Sequence, residues 1–189
     1  PELVQKFYNE RRQQLGSVTP NEGHKLVASL EDKFKVSVIT QNVDDLHERA
    51  GSQHIIHLHG ELMKATSSRN PNDPNCIVTL PADNPVIHMG DKAKDGSQLR
   101  PFIVWFGESV PMIEPAIEEV SRADILVVIG TSLNVYPAAG LLNFANSRCK
   151  IYLIDPNPVP YDPSLGIHHI MKGASKGMEE LCQLLVNEG

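Results

Sequence analysis

Five short apolar runs constrain this chain more than any other feature: 36–40 (VSVIT), 55–59 (IIHLH), 102–106 (FIVWF), 125–129 (ILVVI) and 151–154 (IYLI). Each is too short for a typical helix and rich in β-branched or aromatic residues. Near-continuous apolar runs of this length read as strands covered on both faces. The stretches between them carry helical spacing. In 3–15, Leu3, Val4, Phe7, Tyr8, Arg11 and Leu15 fall at three- and four-residue steps, which puts Arg11 on or beside the apolar stripe and one turn from Tyr8. A second helix is predicted from Thr19, where Thr19-Pro20-Asn21-Glu22 offers an N-cap, a proline at the first helical position and a capping-box acid. Further helices are predicted over 113–123, 137–146 and 178–186. Strands alternating with helices predict an α/β fold: a Rossmann-like parallel sheet with helices on both faces. Residues 62–99 break the pattern. They are rich in Asn, Pro, Asp and Gly, and read as a small irregular insert. The expected organisation is therefore 1–61, a first part of the α/β domain; 62–100, the insert; and 101–189, the second part.

Composition narrows the function classes. The 189 residues suffice for one domain with a small insert, and 41% hydrophobic residues suffice for a core. A net charge of −6 argues against a polyanion as the main partner, so nucleic acid is not expected. No apolar run approaches the ~18 residues of a membrane span, and no signal peptide is visible. Cys76, Cys149 and Cys182 are scattered and odd in number, which suits a reducing, cytoplasmic compartment. The chain opens at Pro1 without a methionine, as a sequence trimmed at its front would.

The chemistry is expected at strand ends, because ligands of open α/β sheets bind beyond the carboxyl ends of the strands. Four such ends carry polar clusters: Thr40-Gln41-Asn42-Val43-Asp44, His59-Gly60, Gly130-Thr131-Ser132 and Asp155-Pro156-Asn157. Short polar side chains beside backbone N–H groups suit a ribose, a carboxamide or a phosphate. Taken singly, each is equally what a cap or turn requires. His57 and His59 alternate on a predicted strand and so share a side. A metal held there would need further ligands such as Cys76 or His88, and no CxxC or HExxH pattern supplies them. A general base needs only one imidazole.

Taken together, the clusters are not independent. TQNVDDLHERAG at 40–51, HLHGEL at 57–62, PFIVWFGES at 101–109, VVIGTSLNVYPAAG at 127–140 and IDPNP at 154–158 resemble, in the same order, the core of the sirtuins, NAD-dependent protein-lysine deacylases. The resemblance implies NAD as co-substrate and an acylated protein or peptide lysine as partner. It implies His59 as general base toward the NAD ribose. The acyl oxygen would attack the anomeric carbon as nicotinamide leaves, and the ribose 2′-hydroxyl would then attack the imidate, giving free lysine and O-acyl-ADP-ribose. Gln41 and Asn42 would position the ribose and Asp44 the nicotinamide carboxamide. Gly130, Thr131 and Ser132 would lie against the phosphates and ribose of the adenosine half, and Asn157 against the adenosine ribose. Val104 and Glu108 would clamp the substrate peptide as an added strand.

FYNERRQQL at 7–15 adds a substrate class. Tyr8 and Arg11 resemble the Tyr-x-x-Arg pair of desuccinylase-type sirtuins, which binds an acyl carboxylate, and a guanidinium suits that task. The expected activity is thus removal of succinyl, malonyl and acetyl groups. Two departures stand against the family pattern. Most sirtuins carry four cysteines as two CxxC pairs in the insert; here there is Cys76 alone, so zinc is not expected. The family's opening strand and Gly-rich GAGxS loop do not precede Pro1, so the first central strand of the sheet is absent from this sequence. Either the biological polypeptide carries that segment or another chain supplies it, or the sheet reorganises or self-associates across the gap. Without it, weak NAD binding and little turnover are expected. The rival readings are a non-catalytic module that binds acylated peptides, a metal-dependent hydrolase built on His57 and His59, and ADP-ribosyl transfer sharing the first step.

Overall fold

The computed structural model describes residues 1–131, 133 and 138–187. In chain order the elements are α1 (Glu2–Leu15), α2 (Glu22–Ser29), β1 (Val38–Thr40), α3 (Leu46–Ala50), β2 (Ile55–His57), β3 (Gly60–Ser67), β4 (Val78–Thr79) and β5 (Leu99–Ile103). They continue with α4 (Ile113–Arg122), β6 (Ile125–Ile129), a 3-10 segment (Ala138–Phe144), β7 (Lys150–Ile154), β8 (His168–Ile170) and α5 (Ala174–Asn187). The chain forms two compact units. Unit 1 holds Pro1–Thr19, Thr40–Leu46 and His57–Pro111; unit 2 holds Pro20–Ile39, His47–Ile56 and Met112–Gly189.

The Rossmann-like α/β character is plainest in unit 2. Strands β6, β7 and β8 pair in parallel in that order, with Ile125 opposite Lys150, Ile129 opposite Ile154 and Tyr152 opposite His168. The core gathers Tyr152, Ile154, Ile170, Met178, Leu181 and Leu185, with Leu26, Val27 and Leu30 of the α2 region packed against it. Gly177 of α5 is required by close approach: a Cβ there would meet Ile154 Cγ2 at 2.2 Å. The all-apolar β6 is half-buried along its length, and among the described residues it pairs only with β7. Helix α2 starts later than expected. Its N-cap is Asn21, whose Oδ1 accepts the His24 N–H (3.0 Å) while His24 Nδ1 accepts the Asn21 N–H (3.1 Å). An imidazole completes the capping box where Glu22 was expected to, and Thr19 and Pro20 stay in the entering loop.

Unit 1 is built around an antiparallel sheet ordered β4-β3-β5. The expected irregular insert therefore opens with an eight-residue strand. The strand expected over 102–106 lies earlier, because Leu99, Arg100 and Pro101 pair with Ser67, Thr66 and Ala65. Pro101 is tolerated because β5 is an edge strand. Side-chain oxygens close the insert. Ser67 Oγ accepts the Arg69 and Asn70 N–H groups (3.0 Å each) and donates to Asp95 Oδ2 (2.6 Å), and Ser97 Oγ donates to Asp95 Oδ1 (2.7 Å). These bonds from Ser67 and then Ser97 hold the Asp95 carboxyl at about 2.

Helix α1 corrects an expectation. Its buried residues are Gln5, Arg12 and Leu15, whereas Leu3, Val4 and Phe7 are exposed. Arg11 is exposed, and its neighbour Arg12 is the buried arginine. The helix is fastened to backbone. Gln5 Nε2 donates to Leu99 O (2.9 Å), Asn9 exchanges two bonds with Ile87 (3.0 Å each), and Arg12 Nε donates to Leu62 O (2.7 Å).

Candidate functional site

The turn after β1 is ordered by its own polar groups. Thr40 is buried, and its Oγ1 accepts the Asn42 N–H (3.0 Å). Asn42 O faces Nδ1 of the buried His57 (3.1 Å), and Val43 O accepts the Leu62 N–H (2.7 Å). Asp44 Oδ1 accepts the Leu46 N–H (3.1 Å), an Asx turn that starts α3. The backbone is thus fixed from Thr40 to Leu46, while the Asn42 side chain is exposed and those of Gln41 and Asp44 are half-buried.

Strand β2 ends at His57, and Leu58-His59 forms a turn, so the two histidines do not continue one strand as expected. His57 is taken up by Asn42 O. His59 is framed by three backbone bonds: Leu58 N–H to Thr40 O (3.0 Å), Leu62 N–H to Val43 O (2.7 Å) and Val104 N–H to His59 O (2.9 Å). Its ring is half-buried and no described residue hydrogen-bonds it. Both ring nitrogens are left for a ligand. The turn depends on Gly60, which has φ +89° and where a Cβ would lie 2.0 Å from Phe102 O.

The third piece of unit 1 is the 104–108 loop after β5. Arg100, buried, donates Nη1 and Nη2 to the two oxygens of Glu108 (2.8 and 3.2 Å) and Nη2 to Ile103 O (2.7 Å). Its guanidinium carbon lies 3.5 Å from the Trp105 ring centroid. The Arg100 bonds, chiefly, hold the Glu108 carboxyl below the usual carboxylate range. Phe106 is fully exposed at the loop tip.

On α1, Tyr8 is half-buried, and the Arg11 guanidinium lies 5.1 Å from the Phe7 ring centroid, open to solvent. Arg12, which the sequence did not single out, also bonds Asn9 Oδ1 through Nη1 (2.8 Å), and burial pulls its pKa down to about 10.

In unit 2, Gly130 follows β6 directly, with φ +64° and no described atom within 4 Å of the place a Cβ would take. The Thr131 side chain accepts the Leu133 N–H (3.3 Å). After β7, Asp155 Oδ1 accepts the Asn157 N–H (2.8 Å) and Asp155 O faces His169 Nε2 (3.0 Å). Both polar turns follow the carboxyl ends of parallel strands, with an open glycine and short polar side chains, and this donor set fits the phosphates and sugar of a dinucleotide. Ser132, expected beside Thr131, lies outside the described residues.

A model described as the Sir2 family matches residues 1–137. The chain belongs to that family. It is 61% identical over 186 residues to an NAD-dependent protein deacylase of Bacteroides thetaiotaomicron, covering 98% of this chain and 80% of the relative. It is 48% identical to one of Helicobacter pylori, covering 98% and 79%. Solved structures agree. A Sir2 homologue in complex with ADP-ribose has a TM-score of 0.84 at 39% identity, over 97% of this chain and 73% of that one. A Sir2 homologue–NAD complex has 0.82 at 37%, over 100% and 73%. Among the described residues of this sirtuin, no helix is long and apolar enough to cross a membrane.

Two residues escaped sequence reasoning. Arg100 is a cation inside an otherwise apolar strand, a signal that a buried partner must exist. Arg12 sits on the stripe Gln5, Asn9, Arg12 at i, i+4, i+7, a helix-face period made of polar residues.

Proposed function

We propose that this chain removes acyl groups from protein lysines at the expense of NAD, with His59 as general base. The carrying observation is the His59 ring: half-buried, on a turn held by backbone bonds of Leu58, Leu62 and its own carbonyl, and hydrogen-bonded by no described residue. NAD, when bound, supplies the ribose carbon that accepts the acyl oxygen as nicotinamide departs. The chain's own groups do the rest. His59 takes a proton from a ribose hydroxyl. Gln41 and Asn42, on a turn already rigid, orient the ribose. Asp44 faces the carboxamide. Gly130, Thr131, Ser132 and Asn157 hold the adenosine half. The edge at Val104 and the 104–108 loop receive the peptide as an added strand. Neutral polar groups set in place beforehand favour the charge that develops on the sugar.

The acyl preference follows from Tyr8 and Arg11. Arg11 is solvent-open, so its guanidinium meets a succinyl or malonyl carboxylate without losing a protein ion pair.

The test is nicotinamide release with acetyl-lysine and succinyl-lysine peptides. Release with both is expected, slow in this 189-residue chain as weak NAD binding implies, and lost in His59→Ala at unchanged Tm. Arg11→Met should spare deacetylation and cut desuccinylation strongly; equal loss of both defeats the carboxylate role. Peptide binding without nicotinamide release would make the chain an acyl-peptide-binding module instead.

A further inference from the structure

The 104–108 loop carries more internal fastening than a peptide edge needs. A four-residue turn is commonly held by one backbone bond, and 105–108 has it, from the Glu108 N–H to Trp105 O (3.0 Å). Here the Glu108 carboxylate accepts three bonds, two from β5 and one from the loop itself: Oε1 from Arg100 Nη1, Oε2 from Arg100 Nη2 and from the Trp105 N–H (2.9 Å). Arg100 also donates to the backbone, from Nη2 to Ile103 O and from Nε to Pro101 O (3.3 Å), and its flat face lies over the indole of Trp105. The pair is sheltered unequally, the Arg100 side chain 7% exposed and that of Glu108 35%. Gly107 takes φ +85° to let the chain return to Glu108, and Phe106 is left wholly outside. The same loop is joined at its base to the His59 carbonyl through the Val104 N–H (2.9 Å). The clamp therefore fixes the far end of a segment whose near end touches the backbone of the proposed general base.

We infer that Arg100 is a positioning residue for the acyl-lysine peptide: by gripping Glu108 in a two-pronged ion pair and covering Trp105, it holds the 104–108 loop in a single receiving shape, and the Glu108 carboxylate serves the loop rather than the substrate. The inference rests on the reading of this chain as a protein-lysine deacylase. Planarity is what the arrangement uses. A guanidinium can pair with both carboxylate oxygens and stack on an indole at once, and an ammonium cannot. Arg100→Lys keeps the charge and loses the geometry. Glu108→Gln keeps the shape and loses the charge.

Trp105 is the only tryptophan in the sequence, so its fluorescence reports the clamp without reference to activity. In the 189-residue protein, Arg100→Met and Arg100→Lys should red-shift the emission and raise acrylamide quenching, with Glu108→Gln between them and the wild type. Binding of a fluorescein-labelled succinyl-lysine peptide, read by polarisation, should weaken by about tenfold to about a hundredfold in Arg100→Met, the range expected when a binding element is displaced by an ångström. In turnover, peptide KM should rise while the KM for NAD stays near the wild-type value, a split that general loss of structure does not produce. Wild-type emission in Arg100→Lys, or wild-type peptide affinity in Arg100→Met, overturns the inference. So does equal loss of NAD and peptide affinity. If wild-type protein binds the peptide and releases no nicotinamide, the deacylase reading fails while the affinity ratio still decides the role of Arg100. If it binds no peptide, both fall, and unchanged Trp105 emission in the variants separately shows whether the clamp exists.

Discussion

Helices α1 and α5 are each 14 residues long, and they are held in their units by opposite means. Helix α5 buries Met178, Leu181 and Leu185 at three- and four-residue steps, with Gly177 letting it come close to Ile154. Helix α1 leaves Leu3 82% exposed and buries Gln5 and Arg12. The difference lies in the surface each one meets. A parallel sheet presents apolar side chains, so an apolar stripe fits it. Helix α1 meets the carbonyls of Leu62, Ile87 and Leu99, and buried carbonyls demand donors. A helix face is selected by its partner, and the partner of α1 is backbone.

The largest effect expected on this contrast is in the apolar helix. Leu181 is fully buried, and Leu181→Ala should cost about 3–4 kcal/mol in urea unfolding, transfer and cavity together. A loss under ~1 kcal/mol would mean that α5 is not the apolar anchor described. Next comes the polar helix. Arg12→Ala strips the donor from Leu62 O and leaves it buried, an expected cost of about 2 kcal/mol, whereas Arg11→Ala next to it should change stability by less than ~0.5 kcal/mol. Equal effects in the two single variants would erase the distinction between the faces.

A smaller effect is expected from pH. The folded-state pKa of Asp95 is depressed to about 2, so the stability it contributes is present above its unfolded value near 4 and is lost as pH falls through about 2. Thermal scans between about pH 5 and about pH 2 should show a decline that Asp95→Asn flattens. A variant as acid-sensitive as the wild type would move the cause elsewhere.

These contrasts also explain what could be read beforehand. The strands at Ile125–Ile129 and Lys150–Ile154 and helix α5 were legible because apolar patterning reports burial against apolar surfaces. The turn at Gln41–Asp44 and the His59-Gly60 pair stood out through their order along the chain, which resembles one family, although each alone is equally what a cap or turn requires. Arg12 was not legible, since the carbonyl it serves, that of Leu62, lies 50 positions on. The α2 cap was misplaced for a local reason: the His24 ring, three positions from Asn21, took the place expected of an acid. The grip of Arg100 on Glu108 spans eight positions around a loop, a distance with no helical or strand period to betray it.

The smallest expected effect is the sharpest test of α1. Leu3 and Phe7 lie one turn apart on its exposed face, and Phe7 meets the Arg11 guanidinium, a contact worth roughly 0.5 kcal/mol at such a site, and the Tyr8 ring edge-on at 5.1 Å between centroids. Leu3→Gln and Phe7→Gln exchange an apolar side chain for a polar one of similar helix propensity, so each should move stability by no more than ~0.5 kcal/mol. The measurement is urea unfolding at several protein concentrations. Losses beyond ~1.5 kcal/mol that grow with concentration would mean that the apolar stripe is covered in solution by a second copy. The stripe would then be a second interface of the same helix, and the contrast with α5 would become one between an intramolecular and an intermolecular apolar partner.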